Sequence, residues 1–367
     1  MVNKRWLFIH PFQLRLLRGI ETYLWNLSSA LVHSGIGVDI LTWDGSLSIP
    51  EYVQHPEIRI HRVPNYRYFQ AAAAIPLYLR HIMTGNYSHV FTHFAGYGEG
   101  FSLFLAGFLR QVEFSVVFHF PPSLVPHRYR EFARWGFLRD AKHLIAVSQA
   151  TAREVVPWAG RSCSVIGHGV NVQHFKPDAE SRSRIRQQLG IHPDALVLIS
   201  VAALEERKGI QWGIKALYRL LTDVQNLHYV VVGDGAYRKP LEILVDDLGV
   251  ADNVHFLGTK LDVSPYLCAA DIVLVLSKGE ASSISLLEAM ACQLPSITSI
   301  CPPFDELVNP AWGIKVEEEN ISAIVQALTG LIGQPDIRLK MGLEARSCVI
   351  ESRQWQQVAQ QYRDLIG

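Results

Sequence analysis

Two glutamates hold the clearest chemical signal in this chain. Glu280 and Glu288 stand seven residues apart in the run Lys278-Gly-Glu-Ala-Ser-Ser-Ile-Ser-Leu-Leu-Glu-Ala-Met-Ala-Cys-Gln-Leu-Pro295. The apolar run Ile272–Leu276 just before it reads as a strand, so the segment opens at the carboxyl end of a strand, where open α/β sheets bind ligands. A helix starting near Ser283 leaves Glu280 in the loop and carries Glu288 more than one turn inside. The Ser282 and Ser283 amides then point out of the helix N-terminus, an arrangement suited to a phosphate. A carboxylate among Leu286, Leu287, Ala289 and Met290 is costly unless it is bonded, and sugar hydroxyls are natural donors to it. The competing reading makes Ser285-x-x-Glu288 a capping box with no ligand at all.

A second charged turn, Leu204-Glu-Glu-Arg-Lys-Gly209, follows the strand-like run Leu196–Val201. Arg207 and Lys208 place two fixed positive charges in one turn after that strand. The planar fork of Arg207 matches phosphate oxygens. The same two residues also fit an ordinary solvated turn. Val230-Val-Val-Gly-Asp-Gly-Ala-Tyr-Arg238 offers Gly233 and Gly235 for close backbone approach, but it lacks the complete dinucleotide fingerprint. The first strand, moreover, leads into Pro11-Phe12-Gln13 instead of a glycine-rich turn, which disfavours a nicotinamide enzyme.

These residues need a scaffold of alternating strands and helices. Strand signals fall at Trp6–His10, Val38–Thr42, His89–Thr92, Ser115–His119 and His143–Val147, with a helix at Glu21–Ser34 whose Leu24, Leu27, Leu31 and Val32 share a face. The pattern restarts with Leu196–Val201, Tyr229–Val232, Val254–Phe256, Ile272–Leu276 and Ser296–Thr298. Alternation of this kind predicts parallel sheets, and 367 residues exceed what one core usually holds. The turn-rich run from Ile166 to Pro177 reads as the hinge. The expected division is therefore an N-terminal domain over 1–170, a C-terminal domain over 171–345, and a helix over 346–367 returning to the first domain.

No run reaches the roughly 18 apolar residues of a membrane helix, and the first apolar stretch is too short for a secretory signal. Cys163, Cys268, Cys292, Cys301 and Cys348 never fall as CxxC, so a reducing, cytoplasmic setting is expected. Formal charge sums to zero, yet residues 1–170 hold 16 Lys+Arg against 10 Asp+Glu and the remainder 18 against 24. That makes +6 and −6, which suits two domains with different partners, or else is undirected drift of surface charge.

The glutamate segment resembles the E-x7-E signature of the large retaining glycosyltransferase family 4, whose fold is GT-B: two Rossmann-like domains facing a cleft. Both glutamates and E-A-M-A-C-x-L-P are kept; Ala281-Ser282-Ser283 replaces G-F-G, and Gln293 replaces the later glycine. The resemblance implies that Glu288 binds the ribose hydroxyls and that Glu280 lies beside the donor sugar. It also implies that the Ser282–Ile284 backbone, including Ser283, touches sugar and phosphate. Lys208 matches the lysine of the family's G-R-L…K-G loop, while its arginine is Ala203 here, with Arg207 adjacent. Gly233 matches the second glycine turn, and Leu257 in His255-Phe-Leu-Gly-Thr259 falls where the backbone meets the base. In the first half Arg18-Gly-Ile-Glu21 is similar to the G-G-x-E loop, with Gly19 as its single glycine. His119, ending Val116-Val-Phe-His119, matches a histidine near the reacting sugar, although a lone strand-end histidine also fits a structural role. Around the hinge, His168 stands where asparagine is usual.

By this resemblance the chain is a metal-independent enzyme with no cofactor. Its catalytic residues are His119, Glu280 and Lys208, and its donor is a UDP- or GDP-sugar, with UDP-glucose the first expectation. The acceptor is a polysaccharide or lipid-linked glycan, and no nucleic acid is involved. A non-catalytic nucleotide-sugar binder within an assembly complex is the alternative, and a GT-B epimerase a third reading that the glutamate spacing opposes. Residues 127–143 interleave five Arg/Lys with four aromatics. On a helix Arg128, Arg139 and Lys142 flank Phe132, Trp135 and Leu138, which fits either an anionic membrane surface or a helix packed on the core.

Overall fold

The computed structural model describes residues 4–13, 19–43, 53–63, 71–93, 103, 105–109, 112–124, 134 and 138–367. The chain divides into two compact units, one made of Met1–His168 with Trp355–Gly367 and the other of Gly169–Gln354.

In the first unit seven strands run in parallel: β1 (Arg5–Gln13), β2 (Gly37–Trp43), β3 (Ile58–Val63), β4 (His89–His93), β5 (Phe114–Phe118), β6 (His143–Ala146) and β7 (Ser164–Val165). Their spatial order is β3-β2-β1-β4-β5-β6-β7. Chain order reverses between β1 and β4, which makes that junction the switch point of a doubly wound sheet. Central strands are buried on both faces and therefore read as unbroken apolar runs such as Phe114-Ser-Val-Val-Phe118. Helix α1 (Gly19–His33) buries Leu24, Leu27 and Leu31 as its periodicity requires, whereas Val32 is only half-buried. It buries Tyr23 and Trp25 as well, the first because the helix at Trp355–Ile366 packs on it, the second beside Val53, Ile58 and Ile60. The Tyr23 and Tyr362 hydroxyls meet at 2.6 Å in the interior.

The second unit repeats the scheme with six parallel strands: β8 (Leu196–Val201), β9 (Leu227–Val232), β10 (Val254–Phe256), β11 (Ile272–Val275), β12 (Ser296–Ser299) and β13 (Gly313–Val316). Their order is β10-β9-β8-β11-β12-β13, with the switch point between β8 and β11. Ser200 Oγ, on β8, bonds the Leu274 carbonyl of β11 and the Tyr229 hydroxyl, both at 2.7 Å, and so fastens that junction from inside. Leu198, Ile214, Leu217, Tyr229, Val231 and Leu274 form the heart of the core.

One expectation fails at the C-terminal end. The stretch 346–367, expected as one helix, is divided between two, Pro335–Ser352 and Trp355–Ile366. Arg353 and Gln354 between them are good helix formers, but tertiary pairing overrides propensity. The Arg353 carbonyl accepts the Val170 amide at 2.7 Å and Gln354 bridges Val170 as a short parallel pair, which takes both residues out of the helix.

Arg128, Phe132 and Trp135 of the basic-aromatic stretch lie outside the described residues, as does Arg18. The expected helix does not reach its C-terminal residues: Leu138 is buried in the core of the first unit, and residues 138–140 form a turn that leads into β6. Lys142 is paired with Glu113.

Candidate functional site

The switch point of the second sheet brings the two charged motifs together. Lys208 leaves the end of β8 and Glu280 the end of β11, 72 residues apart in the chain. Their side chains form an ion pair, both largely shielded at 15% and 12% exposure. Ser277 Oγ donates to the same Glu280 oxygen at 2.8 Å, and the Glu280 amide bonds the Pro302 carbonyl at 3.2 Å. Close approach of the two loops depends on Gly209 at φ +72°, where a Cβ would collide with the Leu276 carbonyl oxygen. The Lys278 amide bonds the Arg207 carbonyl at 2.8 Å and completes the tie. Arg207 is half-exposed, held by Glu205 at 2.9 Å and by the Gly279 carbonyl at 3.3 Å. It therefore sits at the rim with its charge toward water, while Lys208 lies inside.

The helix after β11 spans Ile284–Ala291, and its N-cap is Ser283, whose Oγ accepts the Leu286 amide at 3.3 Å. Ser285 is thus a helical residue and not a cap, which removes the capping-box reading of Glu288. Ser282 and Ser283 precede the helix directly and Ile284 is its first residue. Glu288 is buried, and its carboxyl has no hydrogen bond among the described residues. Burial, reinforced by the nearby Asp262 carboxylate, pushes its pKa up to about 8. Asp262 goes the other way. Burial works to raise it, but the His174 ring at 2.9 Å and the Ser264 amide at 2.9 Å hold it below the usual carboxylate range. The result is a charged carboxylate beside a mostly neutral one, a division of roles that the sequence reading missed because Asp262 lies in no recognisable motif.

Gly233 follows β9 at φ +134°, with the Ala202 carbonyl where a side chain would be. Its amide bonds the Gly258 carbonyl at 2.9 Å, and the Leu257 amide bonds the Val231 carbonyl at 2.9 Å. Both donors are thus spent inside the sheet edge. Among the described residues no group of three or more His, Cys, Asp or Glu could hold a metal ion.

The first unit holds its own cluster at its own switch point. His10 ends the regular pairing of β1, His93 ends β4, and His119 follows β5. His93 Nδ1 and His119 Nε2 are 2.8 Å apart. Tyr23 packs edge-on against both rings, at 5.8 Å and 4.6 Å between centroids, and His168 lies 5.7 Å from His119. Burial, assisted by the neighbouring imidazoles, drives His119 well below the ordinary histidine pKa, and burial with His10 does the same for His93. Glu21 is 3.6 Å from His10. Gly19 is the first residue of α1 and not the residue before it, with open space where a side chain would be. His93 and His10 carry no motif of their own. Only the β1-β4-β5 adjacency reveals them.

The family profile described as Glycosyltransferase Family 4 matches residues 17–174, and the one described as Glycosyl transferases group 1 matches residues 181–347. A GDP-mannose-dependent alpha-(1-6)-phosphatidylinositol monomannoside mannosyltransferase of Mycolicibacterium smegmatis is 27% identical over 257 residues, 67% of this chain and 66% of that protein. The lipopolysaccharide glucosyltransferase WaaG of Escherichia coli is 39% identical over 120 residues, 32% of each chain. The aligned part spans about half to two thirds of the length of the leading curated relatives. Among solved structures, Anabaena Alr3699/HepE in complex with UDP superposes with a TM-score of 0.83 at 20% identity, covering 98% of each chain, which shows a shared GT-B fold. With profiles matching on either side of residue 175 and both glutamates of the signature in place, the chain belongs to glycosyltransferase family 4.

Proposed function

We propose that this chain is a retaining glycosyltransferase that moves a hexose from a nucleoside diphosphate sugar to a polysaccharide or lipid-linked glycan. The Lys208–Glu280 pair carries this reading. A cation and a carboxylate at the carboxyl edge of a sheet switch point, shielded from water, suit a diphosphate leaving group and the sugar attached to it. Glu288, buried with no hydrogen bond among the described residues, supplies the acceptor that ribose hydroxyls need. The backbone at Ser282, Ser283 and Ile284 reads as the contact to sugar and phosphate, and Gly233 and Leu257 as the edge that meets the base. His119 and Gly19 carry the part of the reading that falls on residues 1–168. The proton of the acceptor hydroxyl goes to the leaving phosphate oxygen, since no residue is assigned as its base.

UDP-glucose is the first donor to test. It is supported by the glucosyltransferase among the relatives and by the UDP-bound fold neighbour. The mannosyltransferase relative makes GDP-mannose the necessary second arm. Release of UDP or GDP from each donor, with and without a mixed glycan and lipid-linked acceptor extract, is the decisive assay. Nucleotide binding without any release would instead support a non-catalytic binder.

Turnover should persist in EDTA, because Lys208 and Arg207 supply positive charge at the diphosphate. Complete loss in chelator, restored by Mn2+ or Mg2+, would overturn that part of the proposal.

The proposal extends to a peripheral contact of residues 127–143 with anionic lipid on the cytoplasmic face, supported by the +6 excess over residues 1–170; with Leu138 in the core and Lys142 paired to Glu113, the contact falls to the arginines of the stretch. Co-sedimentation should show salt-sensitive binding to anionic but not neutral vesicles, weakened by Arg128→Ala combined with Arg139→Ala. Equal binding to both vesicle types would remove the membrane from the account.

A further inference from the structure

Two neutral imidazoles that share a hydrogen bond share one proton, and this fixes what their outer nitrogens can do. His93 Nδ1 and His119 Nε2 lie 2.8 Å apart, inside hydrogen-bond range. Both rings are deeply buried, at 3% and 7% exposure. The direction of their pKa displacement keeps both uncharged at neutral pH. One ring must donate and the other accept. If His119 donates from Nε2, its Nδ1 is a bare acceptor and His93 carries its proton on Nε2. If His93 donates from Nδ1, every role is inverted. The first arrangement puts both rings in the Nε2–H form, the form that neutral histidine intrinsically prefers. The second puts both in the less favoured Nδ1–H form.

The outer atoms, His119 Nδ1 and His93 Nε2, are both buried without a hydrogen-bond partner among the described residues. Buried polar atoms are seldom left so, and such an exception calls for an explanation. A polyhydroxylated ligand supplies one, since a sugar hydroxyl can donate to the bare nitrogen.

We infer that His93 is a positioning residue for His119: by accepting the Nε2 proton it locks His119 in the Nε2–H tautomer and presents Nδ1 as an acceptor for a sugar hydroxyl. His119 then binds by receiving a proton-bearing group, and it is not an acid. The orientation of the ring follows from the same bond, much as a metal-bound imidazole is oriented by the group behind it. The role of His119 toward sugar rests on the function proposed above. The lock itself does not, because it can be read from the protein alone.

The test uses the full chain labelled with 15N-histidine, with the His119 ring signals assigned by their loss in His119→Asn. In the wild-type protein His119 should show a bare Nδ1 and a protonated Nε2, unchanged between pH 6 and pH 8. His93→Phe keeps the bulk and removes the acceptor, so the His119 signals should move toward tautomer-averaged values. His93→Asn, whose side-chain oxygen can accept in place of Nδ1, should restore them. In turnover, His93→Phe should lower kcat at least tenfold and His93→Asn less than threefold, with UDP affinity unchanged in both. A protonated Nδ1 on wild-type His119, or tautomer signals indifferent to His93→Phe, overturns the inference. If the phenylalanine variant does not fold, the wild-type tautomer and its pH range decide alone. A locked tautomer in a protein that turns over no donor would leave the lock standing and defeat the proposed function instead.

Discussion

Replacing Lys208 by methionine is expected to lower kcat by about 10²–10³-fold, the usual loss when one preorganised donor to a developing anion is removed. The physical reason is specific to this site. Lys208 sits at the bottom of the β8–β11 junction at 15% exposure, so its charge acts through little water on whatever anion replaces Glu280 as its partner. Arg207 cannot substitute, since it is half-exposed and already engaged by Glu205 and the Gly279 carbonyl. Glu280→Gln should behave differently. It leaves Ser277 a side-chain oxygen to bond and frees Lys208 from its counter-charge, so UDP affinity should hold or rise while turnover falls. Initial rates of nucleotide release, set beside calorimetric titration with UDP, separate the two outcomes. A melting curve for each variant guards against simple unfolding, because removing Lys208 leaves a shielded carboxylate without its counter-charge, a loss of up to about 3–5 kcal/mol for a buried pair. Wild-type rates in both variants would mean that the pair is structural and the site lies elsewhere.

Glu288 makes nucleotide binding a proton-linked event. With its pKa at about 8 in the empty protein, the carboxyl is mostly protonated at pH 7. Ribose hydroxyls donate to the ionised form, so the bound state holds Glu288 as carboxylate and its pKa falls on binding. The sign follows: affinity for UDP should rise as pH increases toward about 8 and level off above it, by up to about tenfold per pH unit below that point. Binding at pH 7 should release close to one proton, which calorimetry detects as an apparent enthalpy that changes with the ionisation enthalpy of the buffer. Glu288→Gln should flatten the rise, and Glu288→Ala should weaken UDP at every pH. The phosphate of UDP titrates identically against both variants and serves as the internal control. An affinity that is flat from pH 6.5 to 8.5 in the wild-type protein would show that Glu288 does not meet the ribose.

How much of this was legible in the sequence depended on burial. Central strands such as Leu196–Val201 and Phe114–Phe118 are enclosed on both faces and stand out as apolar runs. Two of the edge strands, β3 and β13, do not. Ile58-Arg-Ile-His-Arg-Val63 alternates apolar with charged residues, and Gly313-Ile-Lys-Val316 is four residues long, so neither interrupts the chain visibly. The helix break at Arg353–Gln354 was invisible because its cause is Val170, far away in sequence. At the site, Glu280, Glu288, Arg207 and Lys208 were each readable from their own surroundings. Their partners were not. Ser277 is one more serine before a motif, and Asp262 matters only because folding sets it near Glu288. His93 acquires a role only when β4 and β5 lie side by side.

The way the first unit is assembled has a consequence for how the protein is made. Residues 169–354 are contiguous, so that unit can close as soon as it has left the ribosome. The other unit cannot, because Trp355–Ile366 belongs to it and is synthesised after the whole of the intervening unit. Until then Tyr23 lacks the Tyr362 hydroxyl at 2.6 Å, and Phe91 lacks the ring of Tyr362 at 5.6 Å. Of the two units, the one with the earlier-made strands is thus the later to be completed. For that interval the Tyr23 side of α1 lacks its cover, and a transiently exposed apolar surface of that kind invites aggregation or capture by a chaperone.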